Sequence, residues 1–296
     1  MAALLTDLRG YRGEVEFVET AGLTIAYHRV GEGPPLLFVH GAAEDGRVWA
    51  PQFAGLSDEF TVIAWDEPGA GQSSDLPGHV DLADFADGLA AVIEALDLGP
   101  VHLAGLSWGG TVLLELYRRH PSVVATLIFI DSYAGWRGSL PVEEVDARVA
   151  GTRRMLADGE PFDPTLPGLF AHGPPARFVS LLAEIANGVR PSTLGIELGI
   201  MAEADLSNVL SRITVPTLLV WGREDARSPL FVARQFHEAI ADSSLVVIDD
   251  AGHMSHLERP EQVNAAIREF CRAHAAQTRV TIRSDSSHRR RPSSPS

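Results

Sequence analysis

The chain contains no lysine; all 24 of its basic residues are arginine. That absence excludes chemistry requiring an amine side chain, including a Schiff-base cofactor and a phosphate-loop NTPase. Cysteine is nearly missing too. Cys271 stands alone, so an internal disulfide is impossible and a cysteine-based metal cluster is excluded. No run of about 18 uninterrupted apolar residues occurs, so no membrane-spanning helix is expected. The first 19 residues lack the long apolar core of a secretory signal and carry Asp7 early, which makes the cytoplasm the expected location. With a net charge of −15, the chain is poorly suited to nucleic acid, whose phosphates demand a basic surface. The expected partner is therefore a small molecule, with neither nucleic acid nor membrane involved. A monomer and a homodimer are both compatible with this reading.

What is present is the composition of a globular protein. Apolar residues make up 45% and charged residues 21%, which suits a large buried core. Short apolar runs alternate with longer amphipathic stretches, the pattern of a mostly parallel sheet flanked by helices. The expected strands are Leu36 to His40, Thr61 to Trp65, Val101 to Leu106, Val124 to Asp131, Thr217 to Trp221 and Leu245 to Ile248. Each is rich in Val, Ile and Leu without clean alternation, as for strands covered on both faces. Val15 to Glu19 and Leu23 to Val30 flank Ala21-Gly22, which reads as an edge hairpin. Helices are expected at Asp81 to Leu96, Trp108 to Arg119, from a Ser228 N-cap and first-turn Pro229 to Ile240, and from Glu261 to His274. Residues 134–210 are rich in Gly and Pro and show no central strand, so they are expected to form a helical lid inserted into a core of residues 1–133 and 211–276. Residues 277–296 hold five Arg against one Asp in a Ser-rich stretch and are expected to be a disordered basic tail.

The strongest chemical signal is Gly105-Leu106-Ser107-Trp108-Gly109-Gly110. A strand candidate precedes it and a helix candidate follows, the setting of a nucleophile elbow that lifts a serine into the open. A serine hydroxyl needs a base to remove its proton. His253, in the turn AGHMSHLE after the last strand, is the candidate, with His256 as its rival. The base needs an acid to fix its tautomer. Asp225 in WGRED places Ser, Asp and His in the order of this architecture, while Glu224 and Asp131 remain competitors. An oxyanion would be held by the backbone N–H of Trp108 and of Ala42 in the loop His40-Gly41-Ala42-Ala43, where His40 organises the loop. In the insertion, Trp136, Phe162, Leu166, Phe170, Phe178, Leu181 and Leu182 supply an apolar surface; Trp136, Phe162 and Phe170 are the candidate substrate contacts. No metal-ligand spacing and no dinucleotide fingerprint is present, so no cofactor or metal is expected.

These motifs, HGAAED, WDEPGAGQSS, GLSWGG, WGRED and AGHMSHLERP, resemble those of the α/β-hydrolase superfamily over roughly residues 15 to 275. The resemblance implies an α/β-hydrolase fold with an eight-stranded sheet and a serine hydrolase acting on a carboxylic ester or lactone. Carbon–carbon bond hydrolases, hydroxynitrile lyases and cofactor-free perhydrolases share the same triad. Haloalkane dehalogenases and epoxide hydrolases place an aspartate where this chain has Ser107. Proline iminopeptidases typically carry HGGPG where this chain has HGAAED. A slow-turnover ligand sensor on the same fold is the non-enzyme alternative. Asp66-Glu67-Pro68-Gly69 departs from the family's Asp-x-Arg-Gly, with Pro68 in place of an arginine that is usually structural.

Overall fold

The computed structural model describes residues 15–159 and 161–275. The basic segment 277–296 lies outside them, as do residues 1–14. Eight strands form one sheet: β1 (Val15–Thr20), β2 (Leu23–Val30), β3 (Pro35–Val39), β4 (Thr61–Trp65), β5 (Val101–Leu106), β6 (Val124–Ile130), β7 (Thr217–Gly222) and β8 (Ser243–Ile248). Their order is β1-β2-β4-β3-β5-β6-β7-β8. The hairpin β1–β2 and the pair β2–β4 are antiparallel, and every other pairing is parallel. Ala21 and Gly22 both have positive φ, 51° and 80°, the twist a two-residue hairpin needs.

The runs of Val, Ile and Leu form strands because each side chain finds apolar cover on one face or the other. Leu37, Val39, Ile63, Trp65, Leu103, Phe129 and Trp221 enter the core on one side of the sheet. Their neighbours Leu36, Phe38, Val62, Ala64, Ala104, Ile128 and Val220 enter a second core on the opposite side. Strands β5, β6 and β7 are buried at every position. Period-two alternation therefore vanishes from the sequence although it persists in space.

Helices α1 (Ala50–Leu56), α2 (Leu82–Ala95) and α3 (Trp108–Arg119) follow β3, β4 and β5. Helix α1 was not expected from the sequence, since seven residues are too few to show helical periodicity. Helix α2 starts where its capping signal stands: Asp81 accepts from the N–H groups of Ala83 and Asp84, and Asp84 accepts from that of Asp81. Between β6 and β7 the chain holds α4 (Val142–Asp158), α5 (Val179–Gly188), α6 (Pro191–Glu203) and α7 (Ser207–Leu210), with no strand among the described residues. The segment is bonded to the sheet's loops at several points. Arg190 donates to the Ser73 carbonyl, Thr193 to that of Gly69, and Met254 to that of Leu169.

Helices α8 (Leu230–Ala239), α9 (Ser255–Glu258) and α10 (Pro260–Ala273) complete the chain. One expected cap is corrected here: α8 is entered through Pro229, not Ser228. The buried Ser228 instead donates its hydroxyl to the Ser132 carbonyl and its N–H to Asp225. The turn after β7 is thereby closed on the neighbouring strand's loop.

The sheet order places β4 on one side of β3 and β5 on the other. The loops after β3 and β5 thus diverge at a topological switch point, where open α/β sheets leave a crevice at the carboxyl ends of their strands.

Candidate active site

Ser107 stands between β5 and α3 with φ 51° and ψ −112°, a strained conformation for a residue with a side chain. Two glycines make the turn possible. A Cβ on Gly105 would come within 2.7 Å of the Gly109 backbone, and one on Gly109 within 2.4 Å of the Val39 carbonyl oxygen. The elbow therefore packs backbone on backbone, and the serine projects into a cavity of about 370 Å³.

His253 lies on the same cavity wall. Its Nδ1 is 2.8 Å from Asp225 Oδ2, and the other Asp225 oxygen accepts from the backbone N–H groups of Arg227 and Ser228, both at 2.8 Å. This leaves Nε2 for the cavity side. Asp131, the rival acid, is occupied elsewhere: it accepts from Gly222 N–H at 2.8 Å and from the Ser255 hydroxyl at 2.5 Å. Glu224 is exposed and His253 bonds its neighbour instead. His256 faces the Trp49 ring at 4.7 Å and does not line the cavity; burial pushes its imidazole down to about 3. Burial likewise holds His253 well below an ordinary histidine, aided by the positive charges of Arg227 and Arg148. Burial drives Asp225 the other way, upward, against the two backbone N–H bonds and the same arginines.

The loop after β3 uses most of its donors before any substrate arrives. Gly41 N–H donates to Glu44 Oε2 at 2.8 Å, and Ala43 N–H to Glu197 Oε2 at 3.1 Å. Among the described residues the N–H groups of Ala42 and Trp108 have no such partner. Trp108 is the first residue of α3, where a helical N–H has no intrahelical acceptor. His40 does organise this loop: its Nδ1 bonds the Gly41 carbonyl at 2.8 Å and its Nε2 accepts from Glu67 N–H at 3.2 Å.

Of the expected substrate contacts, Trp136 and Phe162 line the cavity, together with Leu166 and Leu182. Phe170 does not. Its backbone lies against Gly252 and its side chain packs on the apolar core, as Phe178 and Leu181 do. In this stretch the backbone has to pass close beneath the His253 turn, and the side chain is directed into the core.

Several site residues were not anticipated. Glu44 lines the cavity, and burial raises its carboxyl to about 8. Arg148 and Arg227 line it as well. Arg148 donates to the Tyr133 hydroxyl at 3.0 Å, to the Arg227 carbonyl at 2.6 Å and to Glu144 at 2.9 Å. The Arg227 guanidinium forms no ion pair among the described residues. Glu67 and Glu197 are buried; Glu67 accepts from the Trp108 indole N–H and Glu197 from the Ala43 backbone N–H. The available signals were slight: Glu67 sits in a stretch that departs from the family pattern, and Glu197 is a lone acid in the apolar run Leu194 to Met201. The metal-capable group among the described residues, His172, Glu224 and Asp250, is exposed, and none of the three lines the cavity.

Comparison with known proteins identifies the family. The Alpha/beta hydrolase family matches residues 36–266. The chain is 32% identical to the dihydrolipoyllysine-residue acetyltransferase component of the acetoin cleaving system of Pseudomonas putida, over 86% of this chain and 69% of that one. It is 28% identical to (E)-2-((N-methylformamido)methylene)succinate hydrolase of Acinetobacter baylyi, over 83% and 93%. Among solved structures, a malate-bound thermophilic esterase from Thermogutta terrifontis superposes with a TM-score of 0.74 at 31% identity, covering 88% of this chain and 98% of that one. An elbow serine, a histidine–aspartate pair and an eight-stranded, mostly parallel sheet thus meet in one chain, which is an enzyme of the alpha/beta hydrolase family.

Proposed function

We propose that the enzyme is a serine hydrolase that cleaves a carboxylic ester or lactone of a small, mostly apolar substrate through an acyl-enzyme. The observation that carries this reading is His253, bonded to Asp225, on the wall of the cavity into which the strained Ser107 projects. His253 Nε2 takes the Ser107 proton as Oγ attacks the substrate carbonyl, and Asp225 holds the imidazole in the required tautomer. The N–H groups of Ala42 and Trp108 receive the developing oxyanion. Collapse expels the alcohol, protonated by His253. A water activated by the same imidazole then releases the acid and restores Ser107. No bond joins the Ser107 hydroxyl to His253 among the described residues, and such bonds commonly tighten only when substrate is bound.

The helical segment 134–210 acts in this reading as a lid over the cavity. Trp136, Met155, Phe162, Leu166 and Leu182 provide an apolar wall, consistent with an aliphatic or aromatic acyl group. Arg227 offers an unpaired guanidinium to a carboxylate at one end of such a substrate. The relative from Acinetobacter baylyi is named for a substituted succinate, which accords with that feature.

Steady-state hydrolysis of short and medium p-nitrophenyl esters and a simple lactone tests the proposal. Turnover by the wild type should fall by at least about 10⁴-fold in Ser107→Ala, as in other serine hydrolases whose nucleophile is removed. Equal rates for the two proteins would remove Ser107 from the chemistry. No turnover by the folded wild type on any compound would favour a carbon–carbon bond hydrolase, a lyase or a ligand sensor.

A further inference from the structure

One side chain of the helical insertion reaches the loop that carries the triad acid. Arg148, on α4, keeps only 10% of its side chain exposed. Its guanidinium lies over two cavity-lining rings, 5.7 Å from the centre of Tyr133 and 5.5 Å from that of Trp136. Nε donates to Glu144 on the same helix, Nη1 to the Tyr133 hydroxyl and Nη2 to the Arg227 carbonyl at 2.6 Å. That carbonyl belongs to the same peptide unit as the Ser228 N–H, which donates to Asp225 Oδ1 at 2.8 Å. Asp225 Oδ2 in turn meets His253 Nδ1 at 2.8 Å. A peptide unit is planar, so fixing its carbonyl fixes the direction of its N–H. A cation on the carbonyl also polarises that N–H into a stronger donor.

We propose that Arg148 is a positioning residue for the triad: from the insertion it orients the Arg227–Ser228 peptide, which sets Asp225 and through it the His253 ring. This rests on the reading of His253 as base and Asp225 as its orienting acid. Tyr133 gives the same side chain a second hold, with its ring 5.9 Å from that of His253. Desolvating a guanidinium is costly, and an apolar residue would hold α4 in place at lower cost. Apart from Glu144, the partners of Arg148 are neutral oxygens close to the triad, and a planar fork of donors suits them. A lysine would keep the charge but lacks the fork that holds both oxygens at once. The other charged or titratable groups around His253 are Asp225, Arg227, Tyr133 and His256. Arg148 is thus the one contribution to this environment that comes from the insertion.

The test compares Arg148→Lys and Arg148→Met with the wild type, by the pH dependence of p-nitrophenyl ester hydrolysis and by thermal melts. We expect Arg148→Lys to lower kcat by roughly tenfold or more with KM nearly constant, since small misplacements of catalytic groups cost that much. Its acid limb of kcat/KM should stay in place, because the charge remains. Arg148→Met should lower kcat at least as far and also move that limb upward, because a positive charge that holds His253 down is gone. Wild-type kcat in both folded variants, with only the melting temperature lowered, would overturn the proposal and leave Arg148 as a pin for α4. A rise in KM at constant kcat would overturn it too, since Arg148 would then act by contacting substrate. If Arg148→Met does not fold, the lysine variant decides by the same change in kcat. Should the wild type be inert toward every ester, the hydrolase reading falls by itself. The positioning is then decided by hydrogen exchange: faster exchange at the Ser228 amide in Arg148→Lys supports it, and unchanged exchange refutes it.

Discussion

At the residue scale the site works by burial as much as by charge. An imidazole acts as a base only when neutral, and burial keeps His253 neutral to a lower pH than an exposed histidine. The acid limb of kcat/KM should therefore fall below the ordinary histidine value of 6.5, and a limb at or above 6.5 would contradict the environment described. Replacing Arg227 with Gln removes a positive charge that helps to depress His253, so the same limb should move upward. That variant should also lower the ratio of kcat/KM for a mono-ester of glutaric acid over that for a matched neutral ester, by roughly tenfold for a lost charge-assisted contact. An unchanged ratio would remove Arg227 from substrate recognition. Glu44 gives a stability prediction with a definite sign. Its carboxyl titrates near 8 when folded, against an ordinary 4.5, so the folded chain holds the proton more tightly and stability falls as pH rises through that window. Glu44→Gln keeps an acceptor for Gly41 N–H without the ionisation. It should raise the melting temperature at pH 8.5 relative to the wild type and lose that advantage toward pH 5.

At the element scale, strands carry the stability and turns carry the chemistry. Phe129 on β6 is fully buried against Phe236 of α8, with ring centroids 5.3 Å apart. Truncation to Ala should cost about 3–5 kcal/mol in denaturant unfolding, the usual result for a buried aromatic. By contrast, Asp81→Ala removes only a helix cap and should cost about 1 kcal/mol. A larger loss there would mean that α2 holds more of the fold than its cap implies. Most of these elements were legible in the sequence. Six of the eight strands stood out as apolar runs and the other two as the arms of a hairpin, with α2 and α3 as helical stretches, the second stopped by a proline. Helix α1 and the entry to α8 did not. The first is too short to show a period, and in the second Ser228 bonds Ser132 across the sheet, a contact that local pattern cannot reveal.

At the scale of the whole molecule, the insertion is bonded to the sheet's loops from several directions, through Arg190, Thr193, Ala43 and Met254. Calorimetry should accordingly show a single transition, and two separated ones would mean that residues 134–210 unfold independently. No helix among the described residues is long and apolar enough to cross a membrane. The sequence alone determined the sheet, the elbow at Ser107, the candidate His253 and the family, because each is written in contiguous residues: an apolar run, a glycine on either side of a turn, a motif of fixed spacing. Only the tertiary structure shows which acid meets His253: its Nδ1 bonds Asp225, whereas Asp131 accepts from the Ser255 hydroxyl. It also decided that Phe170 faces the core, that Arg227 lines the cavity, and that Glu197 accepts from Ala43 N–H across 154 residues of chain. Such pairings arise from the folding of loops at one sheet edge, and a linear pattern carries no record of them.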